Sequence, residues 1–135
     1  MSRSREGRYL AAADIACLPP NIPGTYRMPH RIAFLYNSRE SLGPGLARCL
    51  YTAEGAVRRS LEVSESAIRR HLGWSLEEAL SQHTDEDAVV AAEHVLEPAL
   101  TAVQIALTDA WRERGVYPDA TAGRSAGELA AGYAR

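Results

Sequence analysis

The sequence predicts a helix-rich α/β domain with few strands, paired parallel. Three observations predict it. Arg31 to Tyr36 (RIAFLY) is a short apolar run, the best strand candidate in the chain. A long stretch of helical periodicity follows, ending near Trp111. A second short run, Val116 to Ala122, then leads into Gly123-Arg124-Ser125-Ala126-Gly127-Glu128 and an Ala-rich helical segment. Two strands separated by so long a helical excursion pair in parallel, because parallel neighbours need a crossover connection. Two strands alone do not make a stable buried parallel sheet, which needs more strands and cover on both faces.

Each element has a local reason. Residues 1–30 read as an N-terminal leader closed by Pro19-Pro20-Asn21-Ile22-Pro23-Gly24, whose prolines exclude regular helix. Residues 31–135 read as the folded domain. After the first strand, Asn37 to Gly45 is a polar loop containing glycine and proline. Leu46 to Leu50 and Ala56 to Leu72 carry apolar residues at gaps of three and four, and Gly73 ends that stretch. Ser75-Leu76-Glu77-Glu78 matches a capping box and opens a short helix. Thr84 followed by Asp85, Glu86 and Asp87 is a further helix start, since acidic residues suit the positive end of the helix dipole. Pro98 fits the first position of the next helix. From there Ala99, Leu100, Val103, Ala106, Leu107, Ala110 and Trp111 form one core-facing stripe, and Gly115 stops it. Pro118 stands at the entrance of the second strand, where a missing donor is tolerated. No internal repeat is evident.

Composition bounds the function classes. A chain of 135 residues supports one modest domain. Its net charge of −2 gives no electrostatic case for nucleic acid. No apolar run approaches the roughly 20 residues of a membrane-spanning helix. All 15 basic residues are arginine, so lysine is unavailable as nucleophile, base or Schiff-base former. Cys17 and Cys49 form no C-x-x-C pair and read as reduced thiols of a cytoplasmic protein. The basic stretch Met1 to Arg8 and the apolar Tyr9 to Leu18 faintly suggest a signal peptide, but Asp14 interrupts the apolar part and no small-residue cleavage site follows. No histidine pair has zinc-ligand spacing, so no metal is expected.

Gly123 to Gly127 is a G-x-S-x-G pentapeptide in the strand–turn–helix context of a nucleophile elbow. Glycine on each side permits a strained turn that holds the serine hydroxyl clear of the sheet. The helix N-terminus behind it is expected to direct backbone N–H groups at a developing oxyanion. An elbow serine needs a base. The sequence ends ten residues after Ser125, and nothing after that serine can act as one.

Several segments in order then resemble a known family. Leu96 to Tyr133 (LEPALTAVQIALTDAWRERGVYPDATAGRSAGELAAGY) is similar to the Q-P-A-L-x-A-V-Q-x-A-L helix, the W-x-x-x-G-V-x-P-D connection and the G-H-S-x-G-E elbow with A-A-x-Y after it that mark the acyltransferase domains of polyketide and fatty acid synthases. These include freestanding malonyl-CoA:acyl carrier protein transacylases. Gly45 to Tyr51 resembles the family's G-M-G-R-x-L-Y, and His71 to Leu76 its L-G-W-S-L. The resemblance covers about residues 31–135 and implies the N-terminal part of an acyltransferase core, α/β-hydrolase-like. It implies that Ser125 takes a malonyl-type acyl group from coenzyme A and passes it to the thiol of an acyl carrier protein. No bound cofactor is implied, only acyl-CoA as donor substrate. The Ala126 N–H would be one oxyanion donor, and Gly123, Arg124, Gly127 and Glu128 would line the substrate side.

Departures from the family pattern qualify this. The family's first strand ends in F-P-G-Q-G-S-Q, whose Gln gives the second oxyanion N–H. Ser38 stands at that position here, without the neighbouring glycines. Arg124 replaces the family's His, and as a permanent cation it either binds a carboxylate or obstructs the pocket. The later half of the family domain, with its catalytic His and carboxylate-binding Arg, has no counterpart in these residues. His30, His71, His83 and His94 read as structural or surface residues, and Arg58-Arg59 and Arg69-Arg70 as a solvated helix face. Leu10 to Leu18 reads as a frayed terminal segment rather than a docking helix. Two functions follow: an acyltransferase that needs a complementing chain or a second copy, or a truncated non-catalytic binding or scaffold protein. A serine hydrolase, which needs Asp and His after the serine, ranks below both.

Overall fold

A computed structural model describes residues 31–37, 46–82 and 93–135. In chain order the elements are β1 (Ala33–Tyr36), α1 (Leu46–Thr52), α2 (Ala56–Leu72), α3 (Leu76–Gln82), α4 (Glu93–Glu113), β2 (Ala120–Gly123) and α5 (Gly127–Tyr133). The strands pair in parallel, with Ala33 opposite Ala120 and Tyr36 opposite Gly123. Both strands lie where the apolar runs place them, and the helical excursion between them is the crossover. The leader, the second oxyanion position at Ser38, the start signal at Thr84–Asp87, His30, His83 and Cys17 lie outside the described residues.

The main core is helical. Leu50 from α1, Val57, Leu61 and Ile68 from α2, Leu76 and Leu80 from α3, and Ala99, Val103, Ala106 and Ala110 from α4 form one buried cluster, with Trp74, Leu107 and Trp111 against it. The gaps of three and four in α2 and α4 place these side chains on single faces. Gly73 ends α2 with a left-handed φ of 78° and returns its N–H to the Ile68 and Arg69 carbonyls.

One helix start and one cap differ from the sequence expectation. Pro98 lies inside α4, whose first described residue is Glu93. Proline there forfeits one bond near the helix start. The burial of Ala99, Leu100, Ala102 and Val103 just beyond it offsets that loss. At α3, Ser75 Oγ does accept the Glu78 N–H at 3.3 Å. The reciprocal carboxylate, however, comes from α2: Glu65 accepts the Ser75 hydroxyl at 3.0 Å and the Glu77 N–H at 3.1 Å. Burial alone would push the Glu65 carboxyl up, but hydrogen bonds from Arg69, the Glu77 N–H and Ser75 outweigh it and hold the group below its ordinary value. Glu113, at the end of α4, caps α2 in the same way, accepting the Ala56 N–H at 3.1 Å and pairing with Arg59 at 2.9 Å.

The sheet packs one face against α4 and α5. Phe34 stacks at an angle on Trp111, and Tyr36 joins Ala130, Ala131 and Ala134 in a second, smaller buried cluster. The opposite face presents Ala33, Leu35, Ala120 and Ala122, all exposed, with Leu35 79% accessible. Among the described residues nothing covers that face. No described helix is long and apolar enough to cross a membrane.

Candidate active site

The turn from β2 into α5 carries the site. Ser125 has φ 56° and is the only non-glycine residue with positive φ among those described. Such a conformation costs a side-chain-bearing residue about 1–2 kcal/mol, so the surrounding backbone must enforce it. The flanking glycines show how. A Cβ on Gly123 would overlap the carbonyl of Gly127, and a Cβ on Gly127 would overlap the carbonyl of Tyr36. The first turn of α5 therefore rests directly on the ends of both strands. In that turn Gly127 N–H bonds the Arg124 carbonyl at 3.1 Å and Glu128 N–H bonds the Ser125 carbonyl at 2.9 Å.

These bonds correct one expectation. The helix behind the serine does not offer a set of open donors. Gly127 and Glu128 N–H groups are consumed in closing the turn, and α5 has only seven residues. Ala126 is left: its N–H donates to no described residue, and its own carbonyl accepts the Thr101 hydroxyl at 3.4 Å. Among the described residues one backbone donor beside Ser125 is thus open, at the residue where an elbow places it.

Ser125, Arg124 and Glu128 are exposed; Ala126 and Gly127 are buried. Neither Arg124 nor Glu128 forms an ion pair with a described residue. Ser125 Oγ makes no hydrogen bond to a described residue, and in particular none to His71 or His94. His94 does line a groove of about 360 Å³ between α2 and α4 whose wall includes Ala126 and Leu129. Among the described residues no cluster of His, Cys, Asp or Glu could hold a metal ion.

Several residues that the sequence reading passed over position the elbow. Arg124 N–H bonds the Tyr36 carbonyl at 3.1 Å, which ties the turn to the end of β1. The Tyr36 hydroxyl donates to Thr108 Oγ1 at 2.7 Å, because that hydroxyl spends its own proton on the Gln104 carbonyl at 2.8 Å. Burial pushes the Tyr36 phenol above its ordinary value. Gln104 Nε2 donates to the Asn37 carbonyl at 2.6 Å. At the other end of β1, Asp119 accepts the Ile32 N–H at 2.7 Å. Tyr133 closes α5 onto α4, donating to Asp109 at 2.8 Å beneath the Arg112 guanidinium, 5.0 Å from its ring centre. Gln104 and Thr108 carry a signal in the sequence: two polar residues four apart, each directly after an apolar position of the α4 stripe, Val103 and Leu107.

The acyl transferase domain model matches residues 34–135, a span holding β1 from Phe34 on, β2, every described helix and the elbow. The chain belongs to the acyl transferase domain family. It is 34% identical over 127 residues to the polyketide synthase GfsB of Streptomyces halstedii, covering 93% of this chain and 2% of that protein. It is 38% identical over 121 residues to GfsA of the same organism, covering 90% of this chain and 2% of that protein. Erythronolide synthase EryA3 of Saccharopolyspora erythraea is 35% identical over 105 residues, covering 78% of this chain and 3% of that protein. The chain therefore spans about one-fiftieth to one-thirtieth of the length of these relatives. No solved structure matches it significantly. The resemblance on the elbow and its flanking helices thus agrees with the family match. As an acyl transferase domain chain, this protein carries the elbow serine with Arg before it and, after it, an Ala126 N–H that donates to no described residue.

Proposed function

We propose that this chain contributes the nucleophile of an acyl transfer in polyketide or fatty acid biosynthesis. Ser125 Oγ attacks the thioester carbonyl of a malonyl-type acyl-CoA. The serine proton leaves to a base, the oxyanion forms beside the Ala126 N–H, and collapse expels the coenzyme A thiolate, which is reprotonated. The phosphopantetheine thiol of an acyl carrier protein then attacks the Ser125 ester, and the serine oxygen leaves with a proton. Losing one oxyanion donor costs roughly 100- to 1,000-fold in rate, so the single open N–H is half of the needed pair. The base and the second donor come from polypeptide outside the described residues, whether joined to this chain or carried by a second one. Arg124, exposed beside the serine, is the cation that meets the acyl group's free carboxylate.

The observation that carries this reading is Ser125 held at φ 56° between two glycines that have no room for a Cβ, in a chain of the acyl transferase domain family. The test is incubation with malonyl-CoA, with and without an acyl carrier protein and the rest of an acyltransferase domain, followed by mass spectrometry. The expected result is an acyl adduct on Ser125 that moves to the carrier thiol and is absent in Ser125→Ala. A second reading, a non-catalytic binding protein, is favoured by the absence of any described base bonded to Ser125. It wins if the wild-type chain binds the carrier protein but Ser125 stays unmodified in every mixture, including mixtures with the rest of an acyltransferase domain.

A further inference from the structure

The end of β1 is clamped from two sides. From α4, Gln104 donates to the Asn37 carbonyl at 2.6 Å and Thr108 receives the Tyr36 hydroxyl at 2.7 Å. The two side chains are four residues apart, so they stand on one helix face and grip consecutive residues of the strand end. From the elbow, Arg124 N–H bonds the Tyr36 carbonyl at 3.1 Å, and Gly127 lies so close to that carbonyl that a Cβ has no room. Tyr36 and Asn37 are therefore a spacer between α4 and the turn that presents Ser125.

Gln104 is 8% exposed, and its Oε1 is buried with no hydrogen-bond partner among the described residues. A residue chosen for packing alone would not leave an acceptor unpaired, because leucine or methionine fills the same space without that loss. What the amide supplies is its donor, aimed at the backbone where β1 ends. We propose that Gln104 is a positioning residue for Ser125: by fixing the Asn37 carbonyl it sets the height of the strand end on which the elbow is built. The inference rests on reading Ser125 as the acyl-accepting nucleophile.

Gln104→Met tests it, since it keeps side-chain length and volume and removes both hydrogen-bonding groups. Two readouts are needed. In the first, Ser125 acylation by malonyl-CoA is followed by intact-protein mass. The maximal rate should fall about 100-fold, the effect of a misplacement near 1 Å, while the half-saturating concentration and Tm stay near wild type. A packing residue would move Tm instead. In the second, the Arg124 amide should exchange its hydrogen faster in Gln104→Met, while α2 amides exchange as in wild type. If Gln104→Met does not fold, Gln104→Asn carries the same expectation, because its amide is one methylene short of Asn37. A wild-type acylation rate in the variant overturns the inference, and so does unchanged Arg124 exchange. If wild-type Ser125 takes no adduct even with the rest of an acyltransferase domain present, the nucleophile reading falls, and the exchange rate still decides whether Gln104 fixes the elbow.

Discussion

The helical cluster buries whole large side chains: Leu50 and Leu76 are fully inaccessible, and Val103 and Leu61 nearly so. The sheet and elbow bury Tyr36 and four alanines, and leave Leu35 and Leu129 at 79% and 70% exposure. The first region is held by apolar area and dispersion, which are large and non-directional. The second is held by backbone in contact with backbone at Gly123 and Gly127, and by directed bonds from Gln104, Thr108, Thr101 and Tyr133. Area makes a fold stable, whereas close approach and directed bonds fix a geometry. The candidate chemistry lies in the region built for geometry.

If that division is right, a core deletion should cost the most stability and the least elbow geometry. Leu76→Ala removes a fully buried side chain from the helical cluster and should cost about 2–5 kcal/mol in urea unfolding. In the fraction that remains folded, acylation of Ser125 should proceed at the wild-type rate. An equal loss of acylation rate per folded molecule would show that the two regions are not separable.

Gly127→Ala probes the other side. The new Cβ overlaps the Tyr36 carbonyl, a backbone atom that cannot rotate away. Destabilisation of about 1–3 kcal/mol is expected from overpacking, less than for Leu76→Ala. The loss of Ser125 acylation should nevertheless be far larger, because the turn itself must move. Acylation at the wild-type rate in Gly127→Ala would break the comparison.

Ser125→Gly should go the opposite way. It removes a left-handed strain of about 1–2 kcal/mol and adds about 0.4–1 kcal/mol of unfolded-chain entropy. The net expectation is a variant roughly 0.5–1 kcal/mol more stable than wild type and unable to take an acyl group. A gain in stability on deleting a residue marks strain kept for a purpose. A destabilised Ser125→Gly would mean that the serine side chain supports the fold.

Much of the helical region was legible in the sequence, because its signals are local. The stripe of α2 and the Gly73 stop lie within one helix, and the structure places α2 at Ala56–Leu72 as expected. The two strands and their parallel pairing followed from short apolar runs and a long crossover. Pro98 misled because the proline rule concerns one bond, while burial of the residues after it decides the helix. The elbow motif was legible, but the number of open donors was not: the N–H groups of Gly127 and Glu128 look available until the turn's own bonds are known. The clamps were invisible for a different reason. Gln104 and Asn37 are 67 residues apart, and Tyr36 and Thr108 are 72 apart, so no window contains both partners.

The smallest expected effects are in pH dependence, and they too divide by region. In the helical region, the Ala56 N–H above all, with the Arg59 guanidinium, holds the Glu113 carboxyl below its ordinary value against the effect of burial. A lowered folded-state value contributes stability above the unfolded value of 4.5 and loses it as pH falls through the folded one. Glu65, also lowered, adds to the same acid limb. At the sheet, burial raises the Tyr36 phenol above 10.0, so its contribution is complete below that pH and is lost as pH rises through the raised value. Glu113→Gln should therefore flatten the acid limb of the stability profile and leave the alkaline limb intact. Tyr36→Phe should flatten the alkaline limb only in part, because Tyr51 and Tyr133 are raised by burial too. It should cost about 1 kcal/mol at neutral pH through the lost bond to Thr108. Because Tyr36 is half of the clamp at the strand end, Tyr36→Phe should also slow Ser125 acylation, whereas Glu113→Gln should not. A Glu113 variant that slows acylation as much as Tyr36→Phe would place the caps of the helical region within the machinery that positions the elbow.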